Sequence, residues 1–212
     1  MDGIGGNGIV SEKKSLHAAE QDTPAARLAR SLWWQEIGQI EASKLIFLDE
    51  SGVTTEMTRR YGRARRGERV GEGTPCGHWR TLTVLGAIRA SGWAATMTIE
   101  APTDGDVFLA YLEQVLCPQL KPGEVVIMDN LSAHKVEGVR RLLQERGAQL
   151  LYLPPYSPDF NPIEKCWSKV KQLLRRAKAR SLPALETAVA DALATVTPVN
   201  IQACFRHCGY AL

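Results

Sequence analysis

The chain has 212 residues, of which 44% are hydrophobic, so it is long enough for one domain with a sizeable core and a small appendage. The formal net charge is only +3, and a nucleic-acid function therefore has to be inferred from local clusters of basic residues. Unpatterned cysteines, no apolar run of membrane-spanning length and no signal-peptide pattern argue against a secreted or membrane protein and favour a cytoplasmic one.

Two cysteine–histidine groups raise the question of a zinc site. Cys204 and Cys208 flank His207, and Cys76 lies close to His78. Neither group matches a strong zinc-ligand pattern. We therefore expect buried free cysteines at these positions.

The first 42 residues predict a disordered start followed by a helical linker. Residues 1–10 are glycine-rich and lack periodicity. Helical composition begins at Ser15 and extends to about Ile40, with a second helix start at Thr23-Pro24. Trp33 and Trp34 are expected to pack in the core. The linker is too short to be an independent DNA-reading domain.

Two apolar segments, residues 45–48 and 125–128, read as buried strands, and each is followed by an aspartate. If these strands are neighbours, Asp49 and Asp129 lie close enough to repel each other, which raises one pKa, and a divalent cation would remove the conflict. Glu50 competes with Asp49 for this role. Strand alternation directs the two side chains to opposite faces, so only one can join the site, and we select Asp49.

Glu164 is the third candidate acid, and its sequence context allows two interpretations. The run 161–164 reads Asn-Pro-Ile-Glu, which is a helix start in which Glu164 would serve only as a capping residue. The helical stripe below Glu164 favours a metal ligand at the head of a phosphate-binding track. The other members of this stripe are polar or basic: Ser168, Lys171, Arg175 and Lys178.

Residues 59–69 contain six arginines in eleven positions, together with a tyrosine, and suggest a basic hairpin near Tyr61–Val70. Such a run of like charge is often only a solvated face. Because arginine binds phosphate in a bidentate way, we favour nucleic-acid contact. The predicted DNA-binding residues are Arg59, Arg60, Arg63, Arg65, Arg66, Lys171, Arg175 and Lys178.

The remaining elements follow in a simple order. Strands are predicted at 80–89, 93–99 and 150–153, and helices at 104–120, 134–146 and 162–180. Together with the two acid-bearing strands, this order indicates an α/β ribonuclease-H-like fold over residues 43–180, with a mixed sheet flanked by helices. In that fold the first and fourth strands are adjacent. Residues 181–212 are predicted to form a C-terminal helical segment, with a helix at 181–195 and a short packed tail.

Asn130 and His134 follow the second acid and are candidate supporting residues. His134 is equally consistent with local hydrogen bonding at a helix start and with an orienting or phosphate-contacting role near metal ions. The proline-rich run 154–162 is expected to be a rigid loop that fixes where Glu164 enters the site. Asp159 lies in this loop, away from the helix face, and is not expected to be a ligand.

Four phrases carry a resemblance to a known family: Leu-Asp-Glu-Ser-Gly at 48–52, Gly-His-Trp-Arg-Thr at 77–81, Met-Asp-Asn-Leu-Ser-Ala-His-Lys at 128–135 and Leu-Pro-Pro-Tyr-Ser-Pro-Asp-Phe-Asn-Pro-Ile-Glu at 153–164. The chain resembles bacterial insertion-sequence transposases of the mariner superfamily, in the DDE transposase/integrase group. The 34 residues between Asp129 and Glu164 fit the spacing of that superfamily. The resemblance implies a catalytic triad of Asp49, Asp129 and Glu164 that binds two Mg²⁺ or Mn²⁺ ions.

The resemblance also implies DNA cleavage and strand transfer during transposition, with element ends and a TA target as double-stranded DNA substrates, a working homodimer and a nucleoid-associated location. The relatives carry helix-turn-helix modules ahead of the region that begins near Lys13, so we expect a separate chain to supply end recognition, or a truncated remnant. Two further hypotheses remain open. One is a catalytically silent remnant that binds DNA or a partner transposase, and the other is a stand-alone ribonuclease-H-like nuclease.

Overall fold

The computed structural model describes residues 18–74 and 77–212. The predicted disordered start at 1–10 and Cys76 lie outside the described residues, as does the part of the predicted helical linker that precedes residue 18.

A five-stranded mixed sheet forms the centre of the protein. The strands are β1 (Leu45–Thr54), β2 (Thr81–Arg89), β3 (Gly92–Ile99), β4 (Val125–Met128) and β5 (Gln149–Tyr152). Their spatial order is β3-β2-β1-β4-β5. β1 pairs antiparallel with β2, and β2 with β3, whereas β1–β4 and β4–β5 are parallel. The predicted ribonuclease-H-like sheet is therefore confirmed, including the adjacency of the first and fourth strands.

Six α-helices surround the sheet in the described part of the chain. They are α1 (Pro24–Ile37), α2 (Gly105–Tyr111), α3 (Val139–Glu145), α4 (Pro162–Ala177), α5 (Leu182–Ala194) and α6 (Pro198–His207). α2 continues as a π-helical turn (Leu112–Leu116) and a 3₁₀ turn (Cys117–Gln119). Within residues 18–74 and 77–212, no single helix has the length and apolarity to cross a membrane. α5 and α6 reach that length and composition only when taken together, and a 75° bend separates them.

The alternation of side chains along β1 divides the core into two layers. Leu45 and Phe47 point into the layer that contains α4, α5 and α6. Ile46 and Leu48 point into the opposite layer, with α2 and α3. Asp49 continues the first series and therefore faces α4, whereas Glu50 continues the second.

Helix α4 is strongly amphipathic and lies against the sheet. Pro162 occupies its first turn, where the missing N–H leaves no hydrogen bond unmade. Ile163, Trp167, Val170 and Leu174 are buried at helical spacing, as the sequence predicts. The helix is shorter than the predicted 162–180 because Lys178 adopts a left-handed conformation and ends it.

Several other predictions need correction. β1 does not end at Asp49 but continues to Thr54, because β2 pairs with it over that length. The expected hairpin near Tyr61–Val70 does not form, and residues 59–70 contain no strand. His134 lies in a 3₁₀ turn (Ser132–Lys135), and the helix expected at 134–146 begins only at Val139.

The C-terminal tail contains more regular structure than expected. The predicted helix at 181–195 is confirmed as α5, but the tail forms a further helix, α6. A capping box starts α6: Thr197 accepts from the backbone N–H of Asn200, whose side chain accepts from the backbone N–H of Thr197. Ile201 and Phe205 of α6 are fully buried against the core. The tail therefore packs on the domain as expected, but as a helix.

Candidate active site

The structure brings the three predicted acids to one pocket of about 460 Å³. β4 pairs with β1 only as far as Phe47, so Asp49 lies just past the end of that pairing, beside the carboxyl end of β4. Asp129 follows β4 directly, and Glu164 lies in the first turn of α4. Three elements that are distant in sequence therefore each contribute one carboxylate to the same cavity.

Asp49 is the most buried of the three, with 7% of its surface exposed. Burial and the negative charge of Glu164 raise its pKa from 3.8 to about 7, and the charge of Asp129 adds to this effect. The Glu50 backbone N–H, which hydrogen-bonds to this carboxylate, and the charge of His134 act in the opposite direction. The surroundings of Asp49 therefore disfavour its ionised form.

Asp129 has the opposite character because it is paired with a histidine. His134 is wholly buried, and its Nδ1 lies 2.6 Å from Asp129 Oδ1. Burial alone would raise the pKa of Asp129, but the close contact with His134, the charge of His134 and the Leu131 backbone N–H hold it below its usual range. Conversely, burial opposes ionisation of His134, but Asp129 raises its pKa.

The imidazole of His134 is fixed in position on several sides. Its ring lies 4.4 Å from the ring of Phe108 in α2, centroid to centroid. Its backbone carbonyl accepts a hydrogen bond of 2.9 Å from the Tyr152 hydroxyl. Glu50, on the α2 face of β1, also raises the pKa of His134 through its charge. These contacts favour the orienting interpretation of His134 over a purely local one.

Glu164 opens toward the pocket and is more exposed than Asp49. Partial burial raises its pKa, and Asp129 adds to this effect, while Lys171 and Lys165 on α4 oppose it. Asn161 does not cap α4 with its side chain, and Glu164 contacts Asn161 only through its own backbone N–H. The geometry therefore gives Glu164 a place in the pocket beyond that of a capping residue.

The pocket also contains residues that the sequence did not single out. Asn161 is 3% exposed, and its side-chain oxygen is buried without a hydrogen-bond partner among the described residues. Lys135 and Tyr156 line the same cavity, together with the predicted Asn130. Asn161 belongs to the motif that predicts the helix start at 161–164. An asparagine at that position is typical of a helix cap, so the sequence alone could not identify it as a pocket residue. Asp159, as expected, is absent from the lining.

The donor set fits a hard divalent cation in its chemistry. Carboxylate and amide oxygens are the ligands that Mg²⁺ and Mn²⁺ prefer. Asp49, Asp129 and Glu164 supply such oxygens, and the unpartnered oxygen of Asn161 lies at the same cavity. Within residues 18–74 and 77–212, however, no three His, Cys, Asp or Glu side chains converge tightly enough to form a ready ligand cluster. Of the cysteines that the sequence predicts to be buried, Cys208 is buried, whereas Cys204 is only half-buried.

A second cleft, of about 650 Å³, is strongly basic. Arg59, Arg60 and Tyr61 form one side, and Gln172, Arg175 and Arg176 of α4 form the other. Arg180 holds the first side in place by donating to the backbone carbonyls of Thr55 and Met57, at 2.9 and 3.1 Å. Tyr61 is 90% exposed, which is unusual for an aromatic side chain without a bound partner.

The structure brings some of the predicted DNA-binding residues together and leaves others apart. Arg59, Arg60 and Arg175 line the basic cleft, and Lys171 lies on α4 between the cleft and Glu164. Lys178 lies past the end of α4 and forms an ion pair of 2.5 Å with Glu72. The remaining three are exposed and do not line this cleft: Arg63, Arg65 and Arg66.

Comparison with solved structures identifies the fold. The Mos1 transposase paired-end complex with left transposon end has a TM-score of 0.77 and 13% identity, over 96% of this chain and 63% of that chain. The Mos1 strand transfer complex gives 0.75 and 14%, over 96% and 63%. The catalytic domain of Mos1 mariner transposase alone gives 0.56 and 11%, over 88% and 93%. This chain therefore spans about 63% of the length of the Mos1 chains in the two complexes.

Sequence comparison identifies the family. No curated protein sequence matches this chain. A family model described as a DDE superfamily endonuclease matches residues 44–186, which is more than half of the chain and includes all three acids of the pocket. The predicted relationship to the DDE group is confirmed, whereas a bacterial origin stays a prediction. The chain belongs to the DDE superfamily endonuclease family.

Proposed function

We propose that this protein is the catalytic part of a transposase, which cleaves DNA strands and joins them to a target in a metal-dependent reaction. The observation that carries the proposal is the convergence of Asp49, Asp129 and Glu164 on one pocket. The family match and the likeness to Mos1 transposase complexes support the same reaction class.

Asp49, Asp129 and Glu164 are the proposed ligands of two Mg²⁺ or Mn²⁺ ions. When bound, the ions would activate the attacking oxygen and stabilise the leaving oxygen of a phosphodiester. Solved Mos1 complexes with Mn and with Mg exist, which supports either metal. The raised pKa of Asp49 is consistent with this role, because a cation at the pocket would favour the ionised form of a carboxyl group that burial and Glu164 otherwise disfavour.

The protein's own side chains would position the ligands and the substrate. His134, held between Asp129 and the ring of Phe108, fixes the direction of the Asp129 carboxylate. Lys135 lines the pocket and would provide positive charge to a phosphate bound there. Water attack on a phosphodiester leaves a 3′-hydroxyl, and this hydroxyl attacks a target phosphodiester from the same pocket. No covalent enzyme intermediate is required.

We propose that the DNA backbone runs from the pocket along α4 into the basic cleft. Lys171, Arg175 and the arginines Arg59 and Arg60 provide successive positive charges along this line. Arginine can form paired hydrogen bonds with phosphate, and exposed Tyr61 can contact a base or sugar. Arg63, Arg65, Arg66 and Lys178 remain candidates for contacts with DNA beyond the cleft, where Lys178 would have to exchange Glu72 for phosphate.

The finer features of the function follow from the family resemblance. We propose that the substrates are double-stranded element ends and a target at TA, and that the active species is a homodimer. A separate helix-turn-helix chain, or a further segment, would supply recognition of the ends. A protein that acts on chromosomal DNA in this way would be cytoplasmic and associated with the nucleoid.

A plasmid nicking and strand-joining assay with Mg²⁺ or Mn²⁺ tests the proposal. The parental chain should convert supercoiled plasmid to nicked circles, and Asp129→Asn should lose at least a hundredfold in rate because a ligand charge is removed. Asp106→Asn is the matched control, since Asp106 is an exposed acid on α2, away from the pocket. It should nick like the parent.

The outcomes separate the competing functions. Equal nicking by the parental chain and Asp129→Asn would refute the triad. Preferential cleavage of an RNA–DNA hybrid over duplex DNA would indicate a ribonuclease-H-like nuclease instead. A folded protein that binds Mn²⁺ and DNA but neither nicks nor joins would indicate the silent remnant.

Salt-dependent DNA binding tests the basic cleft separately from catalysis. Replacing Arg59 and Arg175 by alanine should weaken binding to duplexes of any sequence and reduce the slope of log affinity against log salt by about two. Arg141→Ala is the matched control, because Arg141 is exposed on α3 and its nearest ion-pair partner, Glu145, lies on the same helix. An unchanged salt slope in the double variant would remove the cleft from the DNA path.

A further inference from the structure

The segment between β5 and α4 forms one wall of the catalytic pocket. Pro154 to Pro158 and Asn161 line the cavity, and the chain then enters α4, where Glu164 is the third residue of the helix. The direction in which this segment arrives at Pro162 therefore sets the position of the Glu164 carboxylate. We call residues 154–161 the wall segment.

The wall segment has little internal structure to hold its shape. Ser157 Oγ donates to the Pro155 carbonyl at 3.1 Å, and the backbone N–H groups of Phe160 and Asn161 close a short 3₁₀ turn. Tyr156 has a φ of 56°, which is unfavourable for a residue with a side chain. A strained segment with few internal hydrogen bonds needs support from its surroundings.

That support comes from α1, and mainly from Arg30. Its guanidinium forms a two-pronged ion pair with Asp159, at 2.6 and 2.9 Å, and donates to Ser157 Oγ at 2.8 Å. The guanidinium carbon also lies 3.9 Å from the centroid of the Phe160 ring. The Arg30 side chain is 19% exposed and the Asp159 side chain 52%, so the contact is shielded from solvent mainly on the Arg30 side.

Two further contacts hold the same segment. From the turn before α1, the Gln21 side chain donates to the backbone carbonyl of strained Tyr156 at 2.8 Å and lies 3.3 Å from Asp159 Oδ1. On the buried side, the Tyr210 hydroxyl donates to the Phe160 carbonyl at 2.7 Å. The wall segment is therefore held between α1 and the C-terminal tail, and Arg30 provides most of the polar contacts from the α1 side.

We propose that Arg30 is a positioning residue for the catalytic pocket: by binding Ser157, Asp159 and Phe160 together, it fixes the wall segment and so the entry of Glu164 into the site. Arg30 lies outside the region that the family model matches, so this role is not implied by family membership. The catalytic consequence rests on the proposed function, whereas the structural consequence does not.

A lysine at position 30 would not reproduce the contact. A guanidinium is planar and presents several donors at fixed angles, which lets it bridge two side chains while stacking on a ring. An ammonium group is a point charge that can satisfy one carboxylate but not this whole arrangement. Arg30→Lys should therefore behave more like Arg30→Ala than like the parent.

The first test measures hydrogen–deuterium exchange in the metal-free protein. In Arg30→Ala, peptides covering residues 156–161 should exchange at least tenfold faster than in the parent, while peptides from the central sheet stay protected. Arg27→Ala is the matched control, because Arg27 lies one turn earlier on α1 and pairs with Asp22 at the surface, at 3.2 Å. Unchanged exchange of the wall segment in Arg30→Ala would overturn the proposal, even if DNA nicking were absent from every variant.

The second test uses Mn²⁺-dependent nicking. Arg30→Ala and Asp159→Ala should each lower the maximal rate roughly ten- to hundredfold and raise the Mn²⁺ concentration needed for half-maximal rate, with DNA affinity unchanged. The double variant should be no slower than the slower single variant, because both changes break one contact. Two outcomes would refute the positioning role while leaving the triad intact. One is a rate loss in the double variant equal to the product of the two single losses. The other is a parental nicking rate in Arg30→Ala although its wall segment exchanges faster. Circular dichroism would detect a loss of folding in Arg30→Ala. In that case Arg30→Lys replaces it in both the exchange and the nicking experiments.

Discussion

Asp49→Asn should make the metal-free protein more stable above neutral pH, although it should abolish DNA cleavage. In the folded protein the pKa of Asp49 is about 7, against an ordinary value of 3.8, because the carboxyl group is buried beside Glu164. Ionising such a group in the folded state costs about 1.4 kcal/mol for each pH unit between the two pKa values, or about 4 kcal/mol at full ionisation.

The sign of this effect follows from proton binding. The folded protein retains the Asp49 proton up to higher pH than the unfolded chain does, so Asp49 costs no stability below about pH 4. The free energy of unfolding then falls as pH rises through 4 to 7, and the full penalty is present above about pH 8. Asparagine has a similar shape, stays neutral and can still accept from the Glu50 backbone N–H, so the variant escapes the penalty.

Urea denaturation in the presence of a chelator at pH 4.5, 6.5 and 8 measures the difference between variant and parent. We expect a gain of only about 1 kcal/mol at the lowest pH, which grows to about 4 kcal/mol at the highest. Asp106→Asn, on the exposed face of α2, should show no such trend. A gain that does not depend on pH, or a variant less stable than the parent at pH 8, would refute the view that Asp49 is held ionised against its surroundings.

Three further predictions concern other parts of the structure. Mg²⁺ or Mn²⁺ should raise the thermal midpoint of the parent, by the equivalent of about 2.7 kcal/mol at a hundredfold excess over the dissociation constant, and should do so far less in Asp49→Asn. Gly86→Ala should destabilise the protein by about 1–3 kcal/mol in urea denaturation, because the new Cβ would lie 2.7 Å from the buried Trp167 ring; equal stability would show that α4 can move. Cys204 should react with iodoacetamide faster than Cys166 or Cys208, as measured by peptide mass spectrometry. The reason is that Cys166 and nearby lysines lower the pKa of Cys204, whereas burial raises the pKa of Cys208. Uniform labelling would contradict this order.

The sheet could be predicted from the sequence because it depends on local patterns, and the three acids selected from such patterns line one pocket. Continuous apolar runs of four residues predict strands that are buried on both faces, and an acid directly after such a run has no packing role. The alternation of side chains along β1 predicted that only one of Asp49 and Glu50 could join the site, and the selected residue, Asp49, is the one that lines the pocket. The extension of β1 past Asp49 could not be read, because it depends on pairing with β2 across the register Asp49–Gly86.

The failed predictions arise where local pattern and long-range contact disagree. The arginine-rich run was given a hairpin because of its glycines, but two strands facing each other with like charges would repel across the pair. The chain just before this segment is instead anchored by long-range contacts, such as that from Arg180 to Thr55, 125 positions away. α6 was missed although Thr197-Pro198 repeats the helix start seen at Thr23-Pro24, because its cap uses Asn200 where the usual motif has an acid or glutamine.

The acids of the pocket and the wall segment beside them are positioned by different parts of the fold, and the sequence alone could not connect the two. The acids are placed by the sheet and α4, in an environment that disfavours the charge of Asp49. The wall segment is placed by Arg30, whose contact with Asp159 spans 129 positions and starts from a helix before the sheet begins. Because Glu164 is joined to that wall by only a few residues, a change in the position of α1 would move a proposed metal ligand. The arrangement of the region before residue 44 is therefore expected to affect catalysis even though it contributes no acid to the pocket.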